Sequence, residues 1–389
     1  MLLPCRNRMP STLLKQRILE LDGLRGLAIL LVLVFHYTAQ EGVLTPGTLA
    51  DRVQRLTVMG WTGVDLFFVL SGFLIGGILM DVRSSPSYFK TFYCRRFFRI
   101  VPIYYLWIVL YVALIVIGGN AITRLSNSGI RPPLDLAIFS YFLFLQNLVS
   151  MAFFGLAGAW FGHLWSLAVE EQFYLVAPLV VRFTATRYLK WILAGAILCV
   201  PLFRMFLSRV LHVAALQMTV LVFCRADALA IGMLAATLTR GENPVISVAQ
   251  NARTLYFALS VLSLGVVALW MFSPQSSTLG MQSVGFTWMA LFYVVILLLA
   301  VGYSGSWIAS IFRNKWLREL GVVSYCVYII HIVVNVVLHA LLLHKGPRIS
   351  TGKGAIVTLI AGFVTYGIAK ISWLLFEGPL QRRGHAFKY

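Results

Sequence analysis

The sequence has few charged residues, and acidic side chains are the scarcest of them. Asp, Glu, Lys and Arg make up 12% of its 389 residues, about half the share found in soluble globular domains. The mean hydropathy is +0.85, and 60% of the residues are hydrophobic. This composition excludes a soluble globular protein and predicts an all-α polytopic membrane protein.

The shortage of acidic residues leaves a formal net charge of +19 at pH 7. The Lys and Arg residues are spread among short loops, and in a membrane protein such residues first mark the cytoplasmic side. We therefore predict a lipid bilayer as partner and no nucleic acid.

Cysteine clusters, internal repeats and a cleavable leader are also missing. The five cysteines show no metal-ligand spacing, so we predict no metal and no disulfide. The first 21 residues contain no short apolar core before a small-residue cleavage site, which argues against a removed signal peptide. We interpret residues 1–389 as a single membrane domain with tails at 1–21 and 377–389.

Apolar segments long enough to cross a bilayer occur eleven times. They lie at 24–39, 64–80, 97–118, 134–154, 164–181, 191–209, 214–238, 255–272, 283–303, 320–343 and 355–376. If segment 134–154 re-enters instead of crossing, most loops with clustered Arg and Lys share one side. We therefore predict about ten transmembrane helices plus one re-entrant segment, with both termini in the cytoplasm.

The first apolar segment carries an arginine at its start and a histidine deep inside. Arg25 and His36 are eleven residues apart, which in a helix means about 16 Å along the axis and nearly the same face. A histidine at such a depth usually faces a bundle interior or a wet cavity. We interpret His36 as a functional residue, the alternative being a structural histidine bonded to a neighbouring helix.

The second segment begins with an aspartate. Asp65 is expected at a depth comparable to that of His36, where a carboxylate can hold an imidazole in one tautomer and stabilise its protonated form. The alternative is that Asp65 only caps its own helix. Gly72 and Gly76 form a small-xxx-small step that lets another helix approach closely.

Three arginines, Arg95, Arg96 and Arg99, crowd the loop leading into the third segment, on the side where Arg25 also lies. The planar guanidinium group suits phosphates, so this cluster can hold a phosphorylated cytosolic ligand. The alternative is ordinary anchoring at the membrane surface.

Other polar residues interrupt the later apolar segments. Adjacent carboxylates in a helix point about 100° apart, so at most one of Glu170 and Glu171 faces a given cavity well. We assign these two, together with Trp165, Tyr325 and His331, to acceptor binding or structure. His163 and Trp165 are expected at the membrane interface. Arg225 and Asp227 form an intramembrane pair or face opposite ways.

His331 is a second buried histidine. If its role is structural, it bonds to Tyr325 or Tyr328.

Five spaced motifs, covering almost the whole chain, resemble those of the membrane acyltransferase 3 family of bacterial O-acyltransferases. They are Leu-Asp-Gly-Leu-Arg-Gly-Leu-Ala from Leu21, Gly-Val-Asp-Leu-Phe-Phe-Val-Leu-Ser-Gly-Phe from Gly63, Tyr-Cys-Arg-Arg-Phe-Phe-Arg-Ile-Val-Pro from Tyr93, His-Leu-Trp-Ser-Leu-Ala-Val-Glu-Glu-Gln-Phe-Tyr from His163 and Ser-Tyr-Cys-Val-Tyr-Ile-Ile-His from Ser324. Arg25 and His36 match the family's Arg-x10-His element, and Asp65 matches the acid of its second motif.

The resemblance implies an acyl-CoA donor, most simply acetyl-CoA, on the cytoplasmic side of a bacterial inner membrane. It implies a hydroxyl acceptor on a surface polysaccharide, a lipid-linked saccharide or a glycosylated natural product, and no tightly bound cofactor. Trp61 stands where the second motif of the family has a glycine, a departure on the acceptor side.

Two functions are compatible with these residues. In an acyltransferase, His36 acts as general base with Asp65 orienting it, or His36 itself carries the acyl group. The arginines assigned to the donor phosphates are Arg25, Arg95, Arg96 and Arg99. In a transporter or flippase, His331, Arg225 and Asp227 form a coupling network, but the two related halves common in such folds are not recognisable here.

Overall fold

The computed structural model describes residues 18–39, 42, 44–125, 139–152, 162–240 and 247–389. Within these ranges the regular structure is helical and contains no strand. The helices are α1 (Leu19–Ala39), α2 (Leu49–Thr57), α3 (Gly63–Asp81), α4 (Tyr88–Leu125), α5 (Gln146–Ala152), α6 (Trp165–Phe183), α7 (Thr186–Arg209), α8 (Ala215–Val220), α9 (Val222–Thr239), α10 (Ala252–Phe272), α11 (Phe286–Gly302), α12 (Trp307–Phe312), α13 (Lys315–Leu343), α14 (Gly352–Ser372) and α15 (Gly378–His385).

Nine helical segments in the described ranges are long and apolar enough to cross a membrane. They are Leu49–Asp81, Tyr88–Ala113, Gly162–Phe183, Thr186–Arg209, Ala215–Thr239, Ala252–Phe272, Met281–Gly302, Lys315–Leu343 and Gly352–His385. The predicted first span is the helix α1, whose 21 residues extend about 31 Å at 1.5 Å per residue. The prediction of an all-α, multi-pass membrane protein is confirmed.

The segment at 134–154 is described only between residues 139 and 152. There the chain makes a helical turn at 139–142, bends at Leu143 and Phe144, and continues as α5. Phe144 has a positive φ of 54°, a value that no regular helix contains. The described part is therefore broken rather than straight, and the re-entrant path stays a prediction because the rest lies outside the described residues.

One predicted boundary is wrong. The loop expected up to Arg99 is helical, because α4 already begins at Tyr88. No glycine or proline interrupts the sequence between Tyr88 and Pro102, and buried aromatic side chains such as Phe92 line one face. Hydropathy failed here because the arginines lower the local average without breaking the helix. Arg95, Arg96 and Arg99 therefore lie on a helix.

The chain forms two compact units, each built from three stretches of sequence. The first unit takes its described residues from 18–28, 64–84 and 169–321, and the second from 29–63, 85–168 and 322–389. Helices α1, α6 and α13 each contribute one part to each unit.

In the first unit, α9 packs against α7 and α11, and it crosses α3 at two glycines. Gly72 faces the backbone of Leu229, and Gly232 faces the backbone of Val69. Small residues let membrane helices come this close. On α10, by contrast, no residue is buried, so this helix presents an apolar surface of the kind a bilayer covers.

The second unit contains α4, α14 and α15. Helix α14 continues through a π-helical turn, Trp373–Glu377, into α15, which packs on α4. The predicted tail at 377–389 is therefore mostly helical, and its last residues lie beside the arginines of α4.

Candidate functional site

Three histidine rings meet in the second unit. His36 comes from α1, His331 from α13, and His163 from the short 3-10 turn Gly162–Leu164. The ring centroid of His331 lies 4.9 Å from that of His36 and 5.0 Å from that of His163, and the His36 and His163 centroids are 6.0 Å apart. No group of His, Cys, Asp and Glu in the described ranges has the geometry of a metal site. The cluster brings together imidazole rings from three separate segments of the second unit.

One nitrogen of the His36 ring contacts two neighbouring groups. Its Nδ1 lies 3.0 Å from the carbonyl oxygen of Val32, one turn back on α1, and 3.1 Å from Nε2 of His331. His331 is fully buried, and its own Nδ1 lies 2.8 Å from the carbonyl oxygen of Tyr328 and 3.1 Å from that of Val327. Two rings from helices far apart in sequence are thus joined by one hydrogen bond.

Further hydrogen bonds hold the cluster in place. His163 Nε2 donates to the carbonyl oxygen of Tyr328 at 2.9 Å, and the Tyr328 hydroxyl donates to the carbonyl oxygen of His163 at 2.7 Å. The Tyr37 hydroxyl donates to the carbonyl oxygen of His331 at 3.1 Å. His331 thus contacts the backbone of Tyr328, whereas the Tyr325 hydroxyl donates to the carbonyl oxygen of Ile100.

His163 is the member of this cluster that sequence reasoning missed. The sequence places it next to Trp165 in an interfacial position, yet its side chain is 5% exposed and packs on both other histidines. Its Nδ1 is buried without a hydrogen-bond partner among the described residues. The signal in the sequence that could have identified His163 is its position as the first residue of the fourth motif.

Asp65 lies in the first unit and forms an ion pair with Arg225. Both side chains are almost completely buried, and the Arg225 guanidinium sits 3.8 Å from the ring centroid of Phe286. The partner of Asp65 in its own unit is therefore an arginine. Its expected role of orienting His36 stays a prediction.

A direct pair between Arg225 and Asp227 is not formed, because residues two apart on a helix do not face each other. Asp227 instead accepts from Arg204 Nη1 at 2.9 Å, and Thr287 donates to the same carboxylate oxygen at 2.6 Å. Arg204 is completely buried and also donates to the carbonyl oxygen of Gln282. Sequence reasoning missed Arg204, although a single arginine in the apolar stretch of α7 was visible.

The arginines of α4 lie against the end of the chain. Arg95 donates through Nε and Nη2 to the carbonyl oxygen of Phe387, at 3.0 and 2.7 Å, and its guanidinium lies 4.7 Å from the ring centroid of Tyr389. Arg96 lies over the ring of Phe92. These planar cations gather on a partly exposed surface of the second unit.

Arg99 interacts electrostatically with Glu377, a second residue that sequence reasoning missed. Glu377 is 3% exposed and accepts a hydrogen bond of 3.0 Å from Ser372. Its position at the start of the predicted tail concealed that it is buried beside α4.

Arg25 belongs to the first unit and contacts Asp22 at 3.3 Å. The glycines around it permit a close approach, because a Cβ on Gly23 would lie 2.0 Å from the carbonyl oxygen of Phe312, and one on Gly26 would lie 1.9 Å from that of Leu317. The glycines of the first motif are therefore explained by packing.

Glu170 is held by two hydroxyl groups of the first unit. Its two oxygens accept from Ser71 at 2.7 Å and from Tyr174 at 3.3 Å. Glu171 and Trp165 are half-buried. Of the two adjacent carboxylates, Glu170 is the one tied to α3.

A family model described as "Acyltransferase domain" matches residues 18–369. Peptidoglycan O-acetyltransferase OatA of Listeria monocytogenes is 26% identical, over 94% of this chain and 56% of its own length. O-acetyltransferase OatA of Staphylococcus aureus is 25% identical, over 94% of this chain and 57% of its own. The chain thus spans little more than half the length of these curated relatives, and no solved structure matches. The chain belongs to the membrane acyltransferase 3 family.

Proposed function

We propose that this protein is a membrane O-acetyltransferase that moves an acyl group from acyl-CoA to a hydroxyl group of a glycan. Family membership supports acyl transfer. The relatives carry the names O-acetyltransferase and peptidoglycan O-acetyltransferase, which supports acetyl as the group and a carbohydrate as acceptor. The observation that carries the proposal is the hydrogen bond between His36, in the Arg-x10-His element, and His331.

In the proposed reaction His36 is the general base. It takes the proton of the acceptor hydroxyl while that oxygen attacks the thioester carbonyl carbon. The carbon–sulfur bond then breaks, and the proton returns from His36 to the departing coenzyme A thiolate, so that an ester and a free thiol result. Imidazole suits this cycle because it both accepts and returns a proton near neutral pH.

We assign the phosphates of the donor to the arginines of α4, and the part of Arg25 in donor binding stays a prediction. Arg95, Arg96 and Arg99 lie on a partly exposed helical surface, and guanidinium groups bind phosphate oxygens in a bidentate manner. Arg95 now donates to the carbonyl oxygen of Phe387. A phosphate that binds there replaces a neutral acceptor with a charged one, which makes a stronger hydrogen bond.

We place this surface in the cytoplasm of a bacterium, with the chain in its inner membrane and both termini inside. The assignment is supported by the basic residues at the start of α4 and by those between α6 and α7. The acceptor then approaches from the other side, where Trp165, Glu170 and Glu171 begin α6.

Transport is a weaker alternative. The charged residues assigned to a coupling network in that hypothesis form buried ion pairs, Asp65 with Arg225 and Asp227 with Arg204. Such pairs support a structural role in the first unit, since each charge is compensated.

The test is a transfer assay on the full chain in lipid nanodiscs. Radiolabelled acetyl-CoA is supplied together with muropeptides, lipid-linked saccharides or free glycosides, and the labelled ester is identified by mass spectrometry. We expect label on one acceptor class with the wild type and none with His36→Gln. The proposal is refuted if no acceptor is labelled and the glycans of a deletion strain lose no acyl group.

A further inference from the structure

We propose that His331 is a positioning residue that holds His36 in a single tautomer, with the proton on Nδ1 and the lone pair on Nε2. The inference rests on the proposed function in one respect only, namely that Nε2 of His36 is then the basic atom. The tautomer itself follows from hydrogen-bond partners in the second unit and can be measured without any assay of activity.

The neutral ring of His331 carries its proton on Nδ1. Its Nδ1 faces two backbone carbonyl oxygens, of Tyr328 at 2.8 Å and of Val327 at 3.1 Å. A carbonyl oxygen can only accept a hydrogen bond, so the proton of the neutral ring must lie on Nδ1. The Nε2 atom of His331 then carries a lone pair and is an acceptor.

The tautomer of His331 in turn determines the tautomer of His36. Its Nδ1 lies 3.1 Å from the acceptor Nε2 of His331 and 3.0 Å from the carbonyl oxygen of Val32. Both neighbours accept, so the proton of the neutral His36 ring must lie on Nδ1 as well. The Nε2 atom of His36 is left with the lone pair, which is the form a general base requires.

His331 is placed firmly enough to enforce this choice. Its side chain has no exposed surface, and Tyr37, next to His36 on α1, donates to the carbonyl oxygen of His331 at 3.1 Å. The ring of His163 packs against it at 76° with centroids 5.0 Å apart. The two helices and the turn therefore keep one mutual position in this cluster.

The arrangement gives His331 the part that a carboxylate plays in a Ser-His-Asp triad. When His36 takes a proton at Nε2, its Nδ1–H still donates to the lone pair of His331, so the imidazolium is hydrogen-bonded and correctly aimed. Asp65, the carboxylate that the sequence suggests for this part, is paired with Arg225. We therefore assign the orienting role to His331 in place of Asp65.

The direct test is nitrogen NMR of the full chain, labelled with ¹⁵N-histidine in nanodiscs. The signals of His36 among the seven histidines are identified by their loss in His36→Gln. We expect a protonated Nδ1 and an unprotonated Nε2 in the wild type. In His331→Leu, where Val32 is the one of these two acceptors that remains, we expect a larger share of the tautomer protonated on Nε2. A wild-type His36 with its proton on Nε2 overturns the proposal.

The kinetic test compares two replacements of His331. Leucine cannot accept a hydrogen bond, whereas glutamine can present its amide oxygen near the position of Nε2. Loss of an orienting partner typically costs about 10- to 100-fold in activity, so we expect His331→Leu to lower kcat by that factor with KM for acetyl-CoA unchanged. His331→Gln should recover most of the loss.

The matched control is His339, on the same helix. It is equally buried and bonds through Nδ1 to the carbonyl oxygen of Asn335, one turn back, but lies outside the three-histidine cluster. His339→Leu should leave kcat and the His36 tautomer unchanged. Equal losses in His331→Leu, His331→Gln and His339→Leu overturn the proposal. A correct tautomer in a wild type that transfers nothing refutes the proposed function and leaves this inference standing.

Discussion

A methyl group added at Gly72 should destabilise the first unit. The Cβ of Gly72→Ala would lie 2.0 Å from the carbonyl oxygen of Leu229 and 3.0 Å from the backbone nitrogen of Met233. From the other side, a Cβ on Gly232 would lie 2.1 Å from the carbonyl oxygen of Val69. These neighbours are helix backbone and cannot rotate away, so α3 and α9 must separate.

The size of the effect follows from these distances. An ordinary contact needs 3.4 Å or more, so the helices have to move apart by more than about 1 Å, an overpacking that costs about 1–3 kcal/mol. The same two helices carry Asp65 and Arg225, and a buried pair that opens costs about 3–5 kcal/mol more. We expect the free energy of unfolding to fall by at least about 1 kcal/mol. Each kcal/mol lost should lower Tm by about 2–4 °C.

The assay is a thermal melt of the detergent-solubilised chain, combined with thiol labelling of Cys224. This cysteine is fully buried on α9, so its labelling rate reports opening at the crossing. The matched control is Gly195→Ala inside α7, where the added Cβ would meet nothing within 4 Å among the described residues beyond its chain neighbours and its own helix backbone. Alanine there should be neutral or stabilise by about 0.5–1 kcal/mol.

A Gly72→Ala variant that melts at or above the wild-type temperature contradicts this prediction. Labelling of Cys224 that is no faster than in Gly195→Ala also contradicts it. Either result would mean that α3 and α9 do not cross at these glycines.

Four further predictions concern the site and the membrane. His36→Ala should lower acyl transfer by about 10²- to 10⁴-fold, since the general base is lost, while coenzyme A binding is kept. Arg95→Gln should weaken acetyl-CoA binding and flatten its salt dependence, because one screened phosphate contact is removed; equilibrium binding at two salt concentrations measures this. Asp227→Asn should destabilise the first unit by about 3–5 kcal/mol, because Arg204 stays buried without its counter-charge; thermal melts measure this. Reporters fused at residues 185 and 315 should both lie in the cytoplasm, because their loops carry clustered basic residues.

Each of these has its own control. Near-normal transfer by His36→Ala in reconstituted membranes would assign the base to another residue. Arg187→Gln removes an arginine that lies over the ring of Tyr188 and should leave donor affinity unchanged. Asp227→Leu combined with Arg204→Met should recover most of the stability that Asp227→Asn loses, since both buried charges are then absent. A periplasmic signal from either reporter contradicts the ten-span topology.

Composition and the lengths of the apolar segments were enough to predict the architecture. Twelve per cent charged residues and long apolar segments leave a bilayer as the only environment in which the chain can bury its surface, and a spanning segment must satisfy its backbone as a helix. Hydropathy is a local sum, so it located most spans but missed the start of α4, where Arg95 lies inside a helix. The five motifs were enough for the family.

The partners of the polar residues were decided by the tertiary structure. Sequence reasoning selected His36 and His331 one by one, but their contact joins positions 295 residues apart. It did not foresee that Asp65 pairs with Arg225, and it gave no role in a site to Arg204, His163 or Glu377. Which side chains meet depends on the rotation and register of neighbouring helices. These are set by contacts such as the crossing at Gly72, and no local pattern of apolar residues encodes them.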